Sequence, residues 1–271
     1  MGIRVEFGKV IAKVTGRKRV SGVHVCLSSG EGETIEKIAC DAVAMSGGWT
    51  PVVHLWSHCG GKLEWSDEGS MFYPDKSRPP TNQNGESFVE TVGAASGKLQ
   101  LSEIVNEATD VGFNIAIKVG GKEIRSNVPK VLQKSEDPVE AFWFSPRRAK
   151  RKLRNKTFLD FQNDVKISDV ELAAREGFES VEHLKRYTTL GMATDQGKLS
   201  NVNGLAVLAN TLSSPISQVG TTTFRPPYTP ISMGSIAGSA RDSVFQPVRV
   251  SPIHSWHIEH DAFFEPVGFW R

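Results

Sequence analysis

Cysteine and net charge are both scarce in this sequence, and each shortage excludes a class of protein. Three cysteines, Cys26, Cys40 and Cys59, occur among 271 residues, and none lies in the C-x-x-C spacing of redox and metal motifs. An odd number of cysteines cannot pair completely, which argues against a disulfide framework and is typical of a reducing compartment. The formal net charge of +2 is too small to indicate a nucleic-acid or membrane partner.

Segments for export or membrane anchoring are lacking too. No apolar run is long enough to cross a bilayer, and residues 1–10 have no basic stretch followed by an apolar core. The sixth position lacks the Ser or Thr of a myristoylation motif. We therefore predict a cytoplasmic protein with no membrane and no nucleic-acid partner, of a length that allows about two domains.

A G-x-G-x-x-G phosphate fingerprint is missing, although later features of a dinucleotide-binding fold are present. The patterns predict strands over 9–14, 20–27 and 38–45, the last of them buried, and a helix over 98–119. Strand, small-residue turn and helix follow one another in the order of such a fold. The fingerprint normally lies on the first βα turn. We therefore expect the chain to open inside a dinucleotide-binding domain, after that turn.

Two turns rich in small residues are the candidate cofactor-binding segments. Glycines in the turn 46–51 let the backbone approach a ligand closely, although an ordinary tight turn after a strand is the alternative. The turn 92–97 precedes the predicted helix, whose N-terminus can hold a phosphate or a ribose. The candidate residues are Gly47, Gly48, Thr50, Pro51, Ala94, Ala95 and Ser96.

Together these turns resemble the two late motifs of two-dinucleotide-binding flavoproteins. FAD-binding members of that group carry an acid in the second motif. Residues 93–95 contain no acid, and this makes NAD a better candidate than FAD.

A basic run follows, with seven Lys or Arg residues in the ten positions 147–156. One interpretation is a solvated linker between domains. Another is a docking surface for an acidic partner subunit or a cofactor phosphate. No aromatic residues are interleaved, which disfavours a nucleic-acid site.

Residues 158–217 predict a small all-helical domain. Apolar residues recur at helical spacing over 170–176, 181–188 and 201–211. Ser168 or Asp169 can cap the first helix and Gly177 ends it.

This region resembles the small helical [2Fe–2S] domain of the bacterioferritin-associated ferredoxin type. That family places cysteines as C-x-C and, further along, C-x-x-x-x-C. The matching positions here are Asp160, Gln162, Asp195 and Ser200, and none is a cysteine. A cluster needs thiolates or occasionally histidines, so we expect the scaffold without the cluster. A hard-cation site at Asp160, Gln162 and Asp195 is a weaker alternative, and no metal site is predicted.

The last fifty residues carry three histidines and an aromatic end. His254, His257 and His260 are spaced by three, which turns them steadily away from one helical face, so we interpret them as surface residues and not as a metal site. Residues 263–271 include several aromatic side chains, which are usually buried in a hydrophobic core. We expect the chain to stop as a further domain begins.

A denser resemblance lies in the runs FLDFQNDVKISDVELAAREGFESVEHLKRYTTLGMATDQGKLSNVNGLA and GTTTFRPPYTP. These resemble the alpha subunit of heterotetrameric sarcosine oxidase, densely over 157–271 and more weakly over 9–120. The implied fold class is α/β plus α. The resemblance divides the chain into part of a Rossmann-like FAD/NAD(P)-binding domain, a basic linker, a clusterless helical domain, and an extended connector that opens an aminomethyltransferase-like folate-binding domain. The corresponding ranges are 1–146, 147–157, 158–217 and 218–271.

The resemblance also implies a function and partners. The expected complex demethylates sarcosine oxidatively to glycine, transfers the methylene group to tetrahydrofolate and produces hydrogen peroxide. Its partners are beta, gamma and delta subunits. Its cofactors are NAD, FMN between the alpha and beta subunits, and tetrahydrofolate in a domain mostly missing here, without an iron–sulfur cluster. No catalytic residue is expected in this chain, which alone is expected to be inactive.

Residues 220–228 offer hydroxyls and a guanidinium that suit a phosphate. We predict that Thr222, Thr223 and Arg225, with Lys198, face the FMN or its phosphate. The alternative is an extended connector whose threonines satisfy only loop backbone. Rival functions are a subunit of a dimethylglycine, opine or amino-acid oxidoreductase, and a non-catalytic scaffold from a split gene.

Overall fold

The computed structural model describes residues 2–122, 127–132, 140–242, 244 and 246–271. These residues form two compact units, one that ends at Tyr228 and one that comprises Thr229–Arg271. Within the described ranges, no helix is long and apolar enough to cross a membrane.

The first unit opens with a three-stranded antiparallel sheet. Its strands, in spatial order, are β1 (Lys9–Gly16), β2 (Val20–Leu27) and β3 (Glu36–Ile38). The middle strand is the most buried, and Cys26 on it is fully enclosed. Gly16 has φ +131, and a Cβ there would lie 1.9 Å from the carbonyl oxygen of Arg19, so this hairpin requires glycine.

The predicted buried strand over 38–45 is wrong. Strand β3 ends at Ile38, residues 39–53 are neither helix nor strand, and all of 41–50 except Val43 are exposed. An apolar run forms a buried strand only where other elements cover both its faces, and none does so here within the described residues. Every strand pair among the described residues of this unit is antiparallel, and the Rossmann-like assignment stays a prediction.

A second group of elements follows in the chain. Trp56 is buried, and its indole nitrogen donates a hydrogen bond of 2.8 Å to the carbonyl oxygen of Lys62. The predicted helix over 98–119 is confirmed, but it begins three residues later and ends one residue earlier than predicted. The elements are α1 (His54–His58), β4 (Leu63–Ser66), β5 (Met71–Pro74), a 3₁₀ helix (Gly93–Ser96) and α2 (Leu101–Lys118).

The basic run is tied to the turn that follows β2. The backbone N–H groups of Arg147 and Arg148 donate to the carbonyl oxygens of Ser28 and Gly30 at 2.9 and 3.2 Å. Lys150 then pairs with the carboxylates of Glu31 and Glu33 at 2.9 and 3.3 Å. The start of the run is therefore anchored. Its later residues form the short helix α3 (Arg151–Arg154).

The helical region contains the main hydrophobic core. The three predicted helices are confirmed, the first beginning three residues early, with Lys166 and not Ser168 or Asp169 as its N-cap. The prediction of an all-helical region is wrong, because the strands Phe158–Asp160 and Val165–Lys166 pair at its start. Ile167, Leu184 and Leu208 are fully buried in this core, and Phe72 from β5 packs into it as well. The elements are β6 (Phe158–Asp160), β7 (Val165–Lys166), α4 (Ile167–Arg175), α5 (Val181–Thr188), α6 (Asn201–Leu212) and α7 (Ile216–Val219).

Among its described residues, the second unit has two short helices, α8 (Met233–Ala237) and α9 (His254–Glu259). An isolated parallel bridge joins Arg249 to Trp270. Phe263 is 96% exposed, so its ring finds no core within this unit.

Candidate functional site

The turn 46–51 leads directly into helix α1. Gly47, Gly48 and Thr50 are exposed, whereas Pro51 is buried. Gly48 has φ +108, and a Cβ at either glycine would meet nothing within 4 Å. The backbone at Gly47 and Gly48 therefore has open space around it, and a cofactor contact at this turn stays a prediction.

Helix α1 brings two histidines, which sequence reasoning did not single out, to Tyr228. The rings of His54 and Tyr228 are 4.6 Å apart between centroids, and those of His54 and His58 are 5.6 Å apart. Lys198 lies above the Tyr228 ring, with its Nζ 4.1 Å from the centroid and 2.5 Å from the Tyr228 carbonyl oxygen. The structure thus joins one predicted site residue, Lys198, to an aromatic cluster.

The electrostatics of this cluster favour the neutral forms of His54 and Tyr228. Burial lowers the pKa of His54, and the nearby His58 and Lys198 lower it further. Burial raises the pKa of the Tyr228 phenol, with a smaller contribution from Asp195. Nδ1 of His54 and Nε2 of His58 are buried and have no hydrogen-bond partner among the described residues. The spacing of four between the two histidines was the available signal for this pair.

The predicted site residues in the segment 222–225 differ from one another in exposure. Thr222 is 3% exposed, and its hydroxyl accepts a hydrogen bond of 2.9 Å from Nδ2 of Asn201. The backbone N–H of Thr223 donates to Oε1 of Glu182 at 2.6 Å, whereas Arg225 is exposed. Burial opposes the ionisation of Glu182, but the Thr223 N–H and nearby Lys185 outweigh it and lower its pKa. Thr222 is therefore turned inward, and Arg225 remains accessible.

The turn 92–97 already holds a carboxylate. Oε2 of Glu107 accepts a 2.9 Å hydrogen bond from the Gly93 N–H and lies 2.5 Å from the Ser96 hydroxyl, while Lys76 is 3.4 Å from Oε1. Burial opposes the ionisation of Glu107, yet these donors lower its pKa. Ala94 is exposed beside them.

The position of Glu107 bears on the choice of cofactor. The sequence argument for NAD over FAD rested on a turn without an acid, and an acid lies on this turn in the structure. Sequence reasoning missed Glu107 because it stands on α2, fourteen residues after Gly93. NAD loses that support and stays a prediction, as do Ala94, Ala95 and Ser96 as its contacts.

Three of the four positions that match cluster cysteines, Asp160, Gln162 and Asp195, accept hydrogen bonds from backbone N–H groups. Asp160 is 2% exposed, and its Oδ1 accepts from the N–H groups of Gln162 and Asn163 at 2.8 and 3.1 Å. Its Oδ2 accepts from the Gly191 N–H at 2.8 Å. The Gln162 amide oxygen lies 3.4 Å from the N–H of Asp195. These oxygen donors do not fit a [2Fe–2S] cluster, which needs thiolates or imidazoles.

Asn201, at the start of α6, packs its side chain against two glycines of the same region. A Cβ on Gly191 or Gly197 would lie 2.1 or 2.0 Å from the Asn201 amide oxygen. The neighbouring Ser200 is 1% exposed. Across the described parts of the chain, no three His, Cys, Asp or Glu side chains converge as metal ligands, the three histidines near the end included.

The sequence comparisons with known proteins agree with one another. Residues 154–239 match the sarcosine oxidase A3 domain. The chain is 40% identical over 264 residues to sarcosine oxidase subunit alpha of Rhizobium meliloti (strain 1021), a match that covers 96% of this chain and 25% of the relative. It is 36% identical over 278 residues to the same subunit of Corynebacterium sp. (strain P-1), covering 100% of this chain and 28% of the relative. The resemblance predicted from the sequence is confirmed.

The chain spans about a quarter of the length of these curated relatives. Among solved structures, L-proline dehydrogenase from P. horikoshii is similar with a TM-score of 0.52 and 17% sequence identity. That likeness covers 82% of this chain and 43% of the dehydrogenase chain. At this level of identity it shows a shared fold and no more.

Proposed function

Because nearly the whole chain is similar to part of sarcosine oxidase alpha subunits, we propose that it serves as the corresponding part of such a subunit. The identity of 40% over 264 residues is the observation that carries this proposal. The proposed complex is an oxidoreductase that demethylates sarcosine to glycine, transfers the methylene group to tetrahydrofolate and releases hydrogen peroxide. Beta, gamma and delta subunits are its proposed partners.

A flavin is the proposed cofactor of the region around Tyr228, and FMN is the specific candidate. Arg225 supports this because its guanidinium is exposed and suits a phosphate group. Lys198 supports it because its ammonium stands at the edge of an aromatic cluster. Thr223 is exposed two residues before Arg225, whereas the buried Thr222 acts by positioning the segment through Asn201.

The remaining cofactor assignments rest on separate observations. The open backbone of Gly47 and Gly48 supports a dinucleotide such as NAD at that turn. Tetrahydrofolate is assigned only through the proposed function of the whole complex. The hydrogen-bonded Asp160 and Gln162 support a helical region that works without an iron–sulfur cluster.

The test of the FMN assignment is Arg225→Ala in the reassembled complex. Loss of a charged hydrogen-bond donor is expected to weaken FMN binding by about tenfold. Arg175→Ala is the matched control, because Arg175 is an exposed arginine at the end of α4. Unchanged FMN affinity and turnover in Arg225→Ala would remove Arg225 from the flavin site.

The test of the function itself is sarcosine-dependent hydrogen peroxide production by the complex that co-purifies with this chain. We expect flavin-bearing partners and turnover of sarcosine in preference to dimethylglycine or an opine. A stable, cofactor-free monomer with no partner would favour the scaffold alternative instead.

A further inference from the structure

The basic run 147–156 is attached to the rest of the unit through its backbone and through one apolar side chain. Besides the backbone hydrogen bonds described above, the Lys150 N–H donates to the Glu31 carbonyl oxygen at 3.3 Å. A Cβ on Gly32 would lie 2.1 Å from Cδ1 of Leu153, so the Leu153 side chain packs directly on the same turn. The cations of the run therefore stand on a fixed backbone, which reduces the entropy that is lost when they bind a partner.

The charged side chains of the run fall into two groups. Three of the cations have carboxylate partners: Arg147 with Glu140, Lys150 with Glu31 and Glu33, and Arg154 with Glu171. The other four are exposed, and across the described ranges their side chains make no hydrogen bond and lie within 4.0 Å of no carboxylate. We call these four residues the outer basic face: Arg148, Arg151, Lys152 and Lys156.

Two lysines of the outer basic face are neighbours on one side of a helical turn. The Lys156 N–H donates to the Leu153 carbonyl oxygen at 2.8 Å, so the turn continues past the end of α3. Lys152 and Lys156 are therefore four positions apart on the same side of that turn, and like charges at this spacing repel each other. A negatively charged surface from outside the chain is expected to relieve this repulsion.

Two exposed aromatic rings follow the outer basic face in the chain. Phe158 and Phe161 are both exposed, and their rings stack with 6.5 Å between centroids. Arginine and aromatic side chains are enriched where proteins bind one another. The formal net charge of +2 does not favour a nucleic acid. The chemistry of this surface therefore favours a protein partner.

We propose that the outer basic face binds a carboxylate-rich surface of a partner subunit. At the helical rise, the stretch 151–156 alone is about 7.5 Å long, which suits several separate carboxylates better than one phosphate group. Exposed charges of this kind mainly speed association and fix the orientation of the partner. The inference rests on the proposed function, because it concerns the subunits with which the chain is proposed to assemble, and it gives that assembly a surface.

The test compares two Arg–Lys pairs in the reassembled complex. Arg151→Gln/Lys152→Gln removes two charges from the outer basic face, and the control Arg17→Gln/Lys18→Gln removes the same charges from the exposed turn between β1 and β2. The first pair is expected to weaken binding of the partner subunits by about tenfold at low salt, mostly through slower association, and by less than about twofold at high salt. The control should change binding by less than about twofold at either salt. Equal affinity of the two variants at low salt would overturn the proposal.

Carbodiimide coupling tests the contact itself, because it joins an ammonium group to a touching carboxylate as an amide with loss of water. We expect mass spectrometry to identify a cross-link from Lys152 or Lys156 to an Asp or Glu of a partner subunit. Lys152→Arg/Lys156→Arg keeps both charges without the reactive amines, so it should retain the affinity and lose the cross-link. Cross-links between subunits that avoid both lysines in the parent complex would contradict the proposed contact.

Folding is checked by thermal melts of the same variants. Both Arg–Lys substitutions should melt close to the parent chain, because the side chains that they replace are exposed. If Arg151→Gln/Lys152→Gln melts lower, Arg148→Gln/Lys156→Gln takes its place, since these two residues lie outside α3. A folded variant of this second pair that binds the partner subunits as tightly as the parent chain would also overturn the proposal.

The outcomes separate this inference from the proposed function. If no subunit assembles with the chain and no sarcosine-dependent hydrogen peroxide forms, the proposed function fails and this surface fails with it. If the complex assembles and turns over sarcosine with equal subunit affinity in both Arg–Lys variants, only the surface proposal fails. Weaker retention of FMN with unchanged subunit affinity would assign the cations to a cofactor phosphate and overturn the proposal.

Discussion

Asn201 packs against the region whose positions match the cluster cysteines of the ferredoxin-type domain. Its Nδ2 donates to the Gln196 carbonyl oxygen at 3.2 Å and to the Thr222 hydroxyl at 2.9 Å. Its amide oxygen lies against Gly191 and Gly197, which have φ +65 and +75 and leave no room for a Cβ. A single side chain therefore joins the loop 191–200 to the segment that carries Arg225.

Replacing Asn201 tests this role. Asn201→Ala leaves the buried Thr222 hydroxyl and Gln196 carbonyl without their donor, and we expect a loss of about 1–3 kcal/mol in the free energy of unfolding. Chemical denaturation measures it. Asn210→Ala on the exposed side of the same helix should change stability by less than about 0.5 kcal/mol. An equal effect of both substitutions would contradict the assigned role.

His54 should make stability depend on pH in the range where histidine titrates. Its folded-state pKa lies below the ordinary value, so the unfolded chain binds the proton more readily. The stabilisation is present above the unfolded pKa and is lost as the pH falls through the folded one. Melting curves from about pH 8 to about pH 5 should show this fall, and His54→Gln should flatten it. The exposed His183→Gln should leave the slope intact.

At the level of elements, helices were predicted well and strands unevenly. The apolar spacing over 101–118, 181–188 and 201–212 is a local property, since each helix makes its own backbone hydrogen bonds. The run 38–45 has a strand composition, but a strand also needs a neighbour, and β3 stops at Ile38. Amino-acid composition alone could not indicate where the backbone pairing between strands ends.

Helix glycines offer a matched pair of substitutions. A Cβ on Gly204 of α6 would meet Cδ2 of Leu190 at 2.4 Å, whereas a Cβ on Gly112 of α2 would meet nothing within 4 Å. Gly204→Ala should therefore destabilise the protein by about 1–3 kcal/mol through overpacking. Gly112→Ala should stabilise it by about 0.5–1 kcal/mol through helix propensity. Thermal melts of both variants check the opposite signs.

At the level of the whole molecule, contacts between residues far apart in the chain could not be predicted from the sequence. The bond from Thr223 to Glu182 joins residues 41 positions apart, and no local pattern indicates which helix an extended segment will follow. The pairing of α1 with Tyr228 was missed for the same reason. The predicted domain boundaries at 146, 157 and 217 stay predictions, although Phe72 packs into the helical core.

Phe72 provides a test of that packing. If hairpin β4–β5 and the helical region unfold together, Phe72→Ala should lower the free energy of the whole transition by about 3–5 kcal/mol. Phe88, 56% exposed, provides the control, and Phe88→Ala should change it by less than about 0.5 kcal/mol. A helical transition that keeps its midpoint in Phe72→Ala would show instead that residues 158–217 fold independently.

The anchoring of the basic run has a consequence for the order of folding. Lys150 and its partner Glu33 are 117 positions apart, so their contact closes one of the longest loops in the chain. Closing such a loop costs entropy that neighbouring contacts must first offset, and chains rich in distant contacts fold slowly. On the ribosome, the turn after β2 emerges before the basic run, so its contacts with that run form only after the run has been synthesised. Until then, the acidic residues Glu31 and Glu33 keep this turn charged and hydrated.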